Sequence, residues 1–382
     1  MSIAYEAVTA SELLYGYRPG LSCLFSSPQH TLLGLGVADV VPPAATLREL
    51  AGRVRDRASL VIGAIPFDDP GSAHLVVPEQ ARWADPFVPC EPPEAEPAQP
   101  WRIVAVPSPA DHRKGVRRAL ELLEQGALDK IVLARSLELT RPEPADVVTM
   151  VRRLASRDPH GHIFAVPLPG GRTLVGASPE LLVSRAGPAV VANPLAGSAP
   201  RSADPDEDRR RAAALLCSAK DQREHAVVVE AVADALAPHC RALSVPSEPS
   251  LICTATMWHL SSRVTGRLTD PGTTSLDLAV ALHPTPAVCG TPTAAARTAI
   301  AGIEPFDRGF YTGTVGWCDA SGDGEWAVTI RCAEVSETGV RLFAGGGIVA
   351  GSVPEDELEE TSAKFRTLLH ALGLDPRASN HE

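Results

Sequence analysis

The chain predicts an α+β fold in which antiparallel sheets pack against helices, and three observations carry that expectation. Short apolar runs separated by tight turns fill its second half, the pattern of strands joined by hairpins. Between them lie longer segments of helical spacing with marked starts. Finally, 382 residues that are 45% hydrophobic and 21% charged, with a formal net charge of −11, supply the apolar side chains of a large core.

Apolar runs at 31–40 and 60–65 read as strands and carry no chemical motif. Residues 86–100 hold six prolines and three glutamates, a loop or linker because proline lacks an N–H donor and fixes φ. Residues 111–126 place Val116, Leu120 and Leu123 at helical spacing and stop at Gly126. Residues 130–140 alternate as a strand, with Ile131, Leu133, Leu137 and Leu139 on one face and Lys130, Val132, Ala134 and Ser136 on the other. Further strands are expected at 162–167, 172–176, 189–192, 311–317, 325–335 and 340–344, and helices at 204–217, 219–237, 291–303 and 354–372. Asp204-Pro205-Asp206-Glu207 is a capping-box signature, so the charge run 204–211 reads as a solvated helix start. Ser178-Pro179 and Thr291-Pro292 repeat the cap-then-proline pattern, which puts Glu180 in the first turn of a short helix or in a tight turn.

Composition excludes several functions. An acidic chain without a basic run repels a phosphate backbone, so no nucleic-acid partner is expected. No apolar run approaches the roughly 20 residues that span a bilayer, and residues 1–20 lack a signal-like pattern, so no membrane partner and a cytoplasmic location are expected. The eight cysteines contain no C-x-x-C pair, which argues for buried thiols rather than zinc or disulfides. The glycine run near residue 345 has the wrong spacing for a dinucleotide loop, and Ser178 lacks the second glycine of a nucleophile elbow.

Some residues could carry chemistry. Asp221 with Glu224, and Glu357 with Glu360, stand three apart on helices, where a divalent cation would offset their repulsion; acids after Pro354 also suit a helix N-terminus by themselves. Glu180 reads either as a helix-start acid or as a general acid whose pKa burial must raise by about two units. Of 35 basic residues only four are lysines, Lys114, Lys130, Lys220 and Lys364. A lysine can shed its proton where an arginine cannot, so Lys130 reads as a candidate base or as a snorkelling surface residue. Arg331 shares a predicted strand face with Thr329 and Ala327, suited to a carboxylate ligand or to solvent.

These segments occur in an order that resembles one family. The blocks are Asp129-Lys130-Ile131-Val132-Leu133-Ala134-Arg135, Val175-Gly176-Ala177-Ser178-Pro179-Glu180-Leu181-Leu182, Pro194-Leu195-Ala196-Gly197-Ser198 and Ser218-Ala219-Lys220-Asp221-Gln222-Arg223-Glu224-His225. They continue with Trp258-His259-Leu260, the proline-rich block from His283 to Pro292, Glu304-Pro305-Phe306-Asp307-Arg308, Thr329-Ile330-Arg331-Cys332 and Ala344-Gly345-Gly346-Gly347-Ile348-Val349. Over about residues 100–374 the chain resembles the chorismate-utilising enzymes and, within them, the isochorismate synthases of catecholate siderophore pathways.

The resemblance implies an α+β fold with large antiparallel sheets around one buried active site. It implies residues 1–100 as the N-terminal strand-rich part, 101–374 as the chorismate-binding catalytic region and 375–382 as a flexible tail. It implies Lys130 as the base that activates water for attack at C2 of chorismate, and Glu180 as the acid on the C4 hydroxyl. Glu224 and Glu360 would ligate Mg2+, with Asp221 and Glu357 as outer partners through water. Gly197, Ser198, His259, Tyr311, Arg331, Gly345, Gly346, Gly347 and Lys364 match substrate-contact positions. A monomer acting reversibly on chorismate is expected, with downstream pathway enzymes as candidate partners. Lys130 and Ala196 disfavour the ammonia-adding relatives, which carry glutamine and lysine there respectively. A salicylate synthase, a menaquinone-pathway isochorismate synthase and a chorismate-binding protein with a dead site are the alternatives. Gly346, in place of a usual alanine, and Pro200 depart from the family pattern.

Overall fold

The computed structural model describes residues 8–57, 59–88 and 101–374. The Pro-rich expectation therefore falls outside the described residues from position 89 onward, and the tail expectation falls outside entirely. Among the described residues, two large antiparallel sheets of ten and nine strands lie face to face, with a third, three-stranded sheet beside them. The ten-stranded sheet runs Gly290–Thr291, Lys130–Thr140, Gly339–Ile348, Cys332–Val335, Arg172–Ser178, His162–Leu168, Ser22–Ser26, Thr31–Leu35 and Gln80–Ala84, with Arg102–Val106 also paired to Lys130–Thr140.

Alternation along the strands explains the layers. Leu24, Ile163 and Leu342 face the helices Ala10–Gly16, Val147–Arg157 and Pro354–Ala371, while their neighbours Phe25, Phe164 and Phe343 meet Ile62, Val315 and Trp317 of the opposing sheet. The outer face of the nine-stranded sheet is covered by Leu47–Arg57, Ala219–Leu236 and Ser275–Leu282. Strands buried on both faces read as continuous apolar runs, which is why Lys130 to Leu137 are all buried despite their alternating pattern. Residues before position 100 are woven into both sheets, Ser22–Ser26 pairing with His162–Leu168 and Val61–Ile65 with Thr314–Cys318.

The helices expected at 111–126, 204–217, 219–237 and 354–372 are present as Pro109–Glu124, Pro205–Cys217, Ala219–Leu236 and Pro354–Ala371. Ser108, Asp204 and Ser218 cap the first three through side-chain oxygens. Four expectations are corrected. Ser178-Pro179 opens no helix: Ser178 ends one strand and Leu181 begins the next. Thr291 belongs to a short strand, and Thr293–Ile303 starts after Pro292 with no side-chain cap. The expected strand at 325–335 is two strands, Gly324–Val328 and Cys332–Val335, in different sheets, because the chain crosses between them through Thr329–Arg331 with Arg331 at φ 49°. The strand expected from Tyr311 begins at Thr314, and Thr312 also has positive φ.

Candidate active site

The site lies where the strand Lys130–Thr140, the glycine run of Gly339–Ile348 and the helices Ala219–Leu236 and Pro354–Ala371 meet. Register pairs Gly347 with Val132 and Ile348 with Ile131, so Lys130 sits at the open end of the ladder. A Cβ on Gly347 would lie 2.2 Å from the Glu224 carboxylate and 3.1 Å from Cε of Lys130, and one on Gly345 would lie 2.6 Å from the Tyr311 hydroxyl. The glycines are there because side chains approach this backbone too closely for any other residue.

Lys130 is 1% exposed, its Nζ 2.9 Å from Glu224 in an ion pair that lacks the alignment of a hydrogen bond. Glu180 occupies the link between Arg172–Ser178 and Leu181–Ala186, where its N–H donates to Ser178 Oγ (3.2 Å) and its carboxylate accepts from Leu195 N–H (3.4 Å). Burial pushes its pKa up to about 7, against the Leu195 hydrogen bond and the fields of Lys130, Arg331 and Lys364. With no helix starting there, no helix dipole opposes the rise.

Arg331 holds a left-handed backbone at the sheet crossing, a conformation costing roughly 1–3 kcal/mol for a non-glycine residue. One guanidinium nitrogen lies 3.3 Å from His259 Nε2, which must accept, while Nε is buried without a partner. Burial keeps His259 neutral, its pKa well below the usual imidazole range, with Arg331 and Lys364 adding to the effect. Ser198 stands opposite His259 in register and donates to Glu360 (2.9 Å); Lys364 donates to Gly345 O (2.9 Å) and pairs with Glu360. Tyr311 stacks on Phe343 at 5.0 Å.

Glu180, Gly197, Ser198, Glu224, His259, Tyr311, Arg331, Gly345, Gly347, Glu360 and Lys364 line one cavity of about 60 Å³. Lys130 lies directly behind Glu224. Asp221 packs under Gly197, and Gly346 faces away from the cavity towards Glu357, whose Oε2 would be 3.1 Å from a Cβ there. Larger cavities of about 940 and 760 Å³ lie elsewhere and contain none of these residues. Val288 and Thr312, to which the sequence gives no role, also form cavity walls, as does Val132 on the Lys130 face of its strand. Arg308, from the block Glu304-Pro305-Phe306-Asp307-Arg308, reaches all three.

Among the described residues no three acidic, histidine or cysteine side chains already form a metal cage. Three of the four acids instead face a lysine: Glu224 meets Lys130, Glu357 meets Lys220 at 3.0 Å, and Glu360 meets Lys364. The donor set nevertheless suits a hard cation. Burial and the neighbouring Glu360 raise the Glu357 pKa to about 7, and Glu357 Oε2 is buried with no partner. Burial, Glu224 and Glu360 likewise raise Asp221, though its Ser218 contact and Lys220 oppose them. Mutual repulsion among buried carboxylates is what a divalent ion relieves.

Comparison with known proteins shows the family. A family model described as chorismate binding enzyme matches residues 79–373. Isochorismate synthase DhbC of Bacillus subtilis (strain 168) is 55% identical over 96% of this chain and 97% of its own length. The vibriobactin-specific isochorismate synthase of Vibrio cholerae serotype O1 is 42% identical over 92% and 91% respectively. A Bacillus anthracis structure, described as a 2,3-dihydroxybenzoate-specific isochorismate synthase, superposes with a TM-score of 0.90 at 50% identity, covering 96% of this chain and all of that one. No described helix is long and apolar enough to cross a membrane.

Proposed function

The chain belongs to the chorismate-binding enzyme family, and on that premise we propose that it is an isochorismate synthase, interconverting chorismate and isochorismate for a 2,3-dihydroxybenzoate pathway. The observation that carries the mechanism is a cavity lined by Glu180, whose pKa burial raises to about 7, and by Glu224, which the buried Lys130 contacts at 2.9 Å. Chorismate is a dianion with a poor leaving group, so the site must attract negative charge, protonate the C4 hydroxyl and deprotonate water near C2. Glu180 donates its proton as the C4–O bond breaks, and Lys130 takes one from the water whose oxygen bonds to C2. One water enters and one leaves, which makes the reaction an isomerisation.

Arg331 supports carboxylate binding because its buried Nε has no partner of its own, and neutral His259 orients the guanidinium by accepting from it. Lys364, fixed by the Gly345 carbonyl, adds a second positive charge. Glu224 and Glu360 would hold Mg2+, with Asp221 and Glu357 outside them. When bound, the ion would supply a fixed positive charge for the substrate's ring carboxylate.

The test is incubation with chorismate and Mg2+, products being identified by mass and ultraviolet spectrum. Isochorismate alone, reached also as the same mixture from the product side, is expected. Salicylate with pyruvate would replace this reading with a salicylate synthase, and binding without turnover would replace it with a dead-site protein.

A further inference from the structure

The strand that carries Lys130 has an incomplete edge. On one side Gly339–Ile348 pairs along its length, but on the other Gly290–Thr291 covers only Lys130 and Ile131, and Arg102–Val106 covers only Ser136 to Thr140. In the gap, Val132 N–H still reaches Cys289 O at 2.8 Å, while the Val132 carbonyl and the Ala134 N–H face no strand. Buried backbone groups left in that state cost about as much as a lost hydrogen bond. Two side chains fill the gap. Arg308 Nη2 donates to Val132 O at 2.8 Å, and Glu304 Oε1 accepts from Ala134 N–H at 2.7 Å. The two are joined to each other, Arg308 Nε to Glu304 Oε2 at 2.9 Å and Nη2 to Oε1 at 2.6 Å. The second terminal nitrogen of Arg308 donates to Val288 O at 2.8 Å and Thr312 Oγ1 at 3.1 Å. Val132, Val288 and Thr312 come from three separate segments and all line the site cavity.

We propose that Arg308, held by Glu304, is the positioning residue of this active site: one buried guanidinium ties three cavity walls together and fixes the strand from which Lys130 projects. The assignment rests on the isomerase reading above. A buried ion pair is a weak device for stability, since apolar residues of similar volume often do as well. A planar fork that reaches two carbonyls, a hydroxyl and a carboxylate at once has a use that neither lysine nor an apolar residue can copy.

The test compares wild type, Arg308→Ala and Arg308→Lys for chorismate turnover and chorismate binding, each with added guanidinium chloride or sodium chloride at equal ionic strength. Arg308→Ala should lose about 100-fold in kcat, as expected of a misplacement near 1 Å, while chorismate Kd stays within a few-fold. Guanidinium, but not sodium, should restore part of that loss, because Glu304 and Arg308 border the cavity of about 760 Å³ whose rim residues Asp68, Asp69 and Asp307 are exposed. Arg308→Lys keeps the charge opposite Glu304 without the fork and should remain as slow as Arg308→Ala. It carries the test should the alanine variant not fold. Near-wild-type kcat in either variant, or loss of turnover that only follows loss of binding and ignores guanidinium, overturns the assignment. A wild-type chain that forms no isochorismate defeats the assigned reaction and this role with it, whereas an active wild type beside an active Arg308→Ala defeats this role alone.

Discussion

Two buried glutamates line the cavity, one beside Lys130 and one apart from it, and their surroundings differ. Glu224 lies 2.9 Å from Lys130 Nζ, so its carboxylate faces a basic side chain. Glu180 has no cation at ion-pair distance among the described residues; it accepts one long hydrogen bond from Leu195 and is neutralised by a proton instead. The same side chain at similar burial is thus suited to partner the proposed base in one place and to serve as the proposed acid in the other. What separates them is how the fold delivers each. Glu224 is presented by a long helix to a strand that carries a lysine, whereas Glu180 hangs on a two-residue link between strands of different sheets.

The largest effect should come from Lys130. Lys130→Arg puts a permanently charged group opposite Glu224 that cannot accept a proton from water, so turnover should fall by about 10²- to 10⁴-fold, with chorismate binding retained. A rate close to wild type in a stopped assay of isochorismate would remove Lys130 as the base and leave only the acid intact. At that acid, Glu180→Gln preserves the acceptor for Leu195 but not the donated proton, and a loss of about 10²- to 10³-fold is expected. In wild type the acid form is lost as pH rises, so kcat/KM should decline above about pH 7. A flat profile from pH 6 to 9 would disprove the protonated state.

Stability should show the same asymmetry. Glu180 binds a proton more tightly folded than unfolded, its pKa moving from 4.5 to about 7. Its contribution to stability is therefore complete below pH 4.5 and is lost as pH rises through about 7, by up to about 3 kcal/mol. Glu180→Gln should match wild type in thermal denaturation near pH 4 and melt a few degrees higher at pH 8. Equal melting temperatures at pH 8 would mean that the carboxylate is solvated after all.

Much of this comparison was legible before the fold was known. Ordered motif blocks marked Lys130, Glu180, Glu224 and Arg331, and the helices that present Glu224 and Glu360 were expected at 219–237 and 354–372, the second with acids after Pro354 in its first turns. Local pattern failed where tertiary context decides. Ser178-Pro179-Glu180 has the letters of a helix start, yet sheet pairing on both sides leaves room only for a link. Thr329–Arg331 contains no glycine or proline, so nothing in its composition marks the left-handed crossing that aims Arg331 into the cavity. The helix Val147–Arg157 was readable from the Asp146 cap and the spacing of Val147, Met150, Val151 and Leu154, and was passed over. The role of the Glu304–Arg308 pair appears only in three dimensions, because the gap it fills is a property of strands distant in sequence.

The smallest effect tests how tightly the carboxylate cluster is packed on the far side of the glycine run. Gly346 is one of the positions read from the sequence as a departure from the resemblance, and a Cβ there would meet Glu357 Oε2 at 3.1 Å, with Thr361 and Glu360 at 3.8 and 4.0 Å. The contacted atom ends a side chain, so it can give by a few tenths of an ångström. At Gly347 the same methyl would strike Glu224 at 2.2 Å and Cε of Lys130 at 3.1 Å, which no small adjustment relieves. Gly346→Ala should therefore keep kcat within about threefold of wild type and shift only the Mg2+ concentration needed for half-maximal rate, since Glu357 is the group that moves. Titrating Mg2+ at saturating chorismate separates the two responses: an unchanged kcat with a displaced midpoint places Glu357 at the edge of the cation site, and an unchanged midpoint removes it from that site.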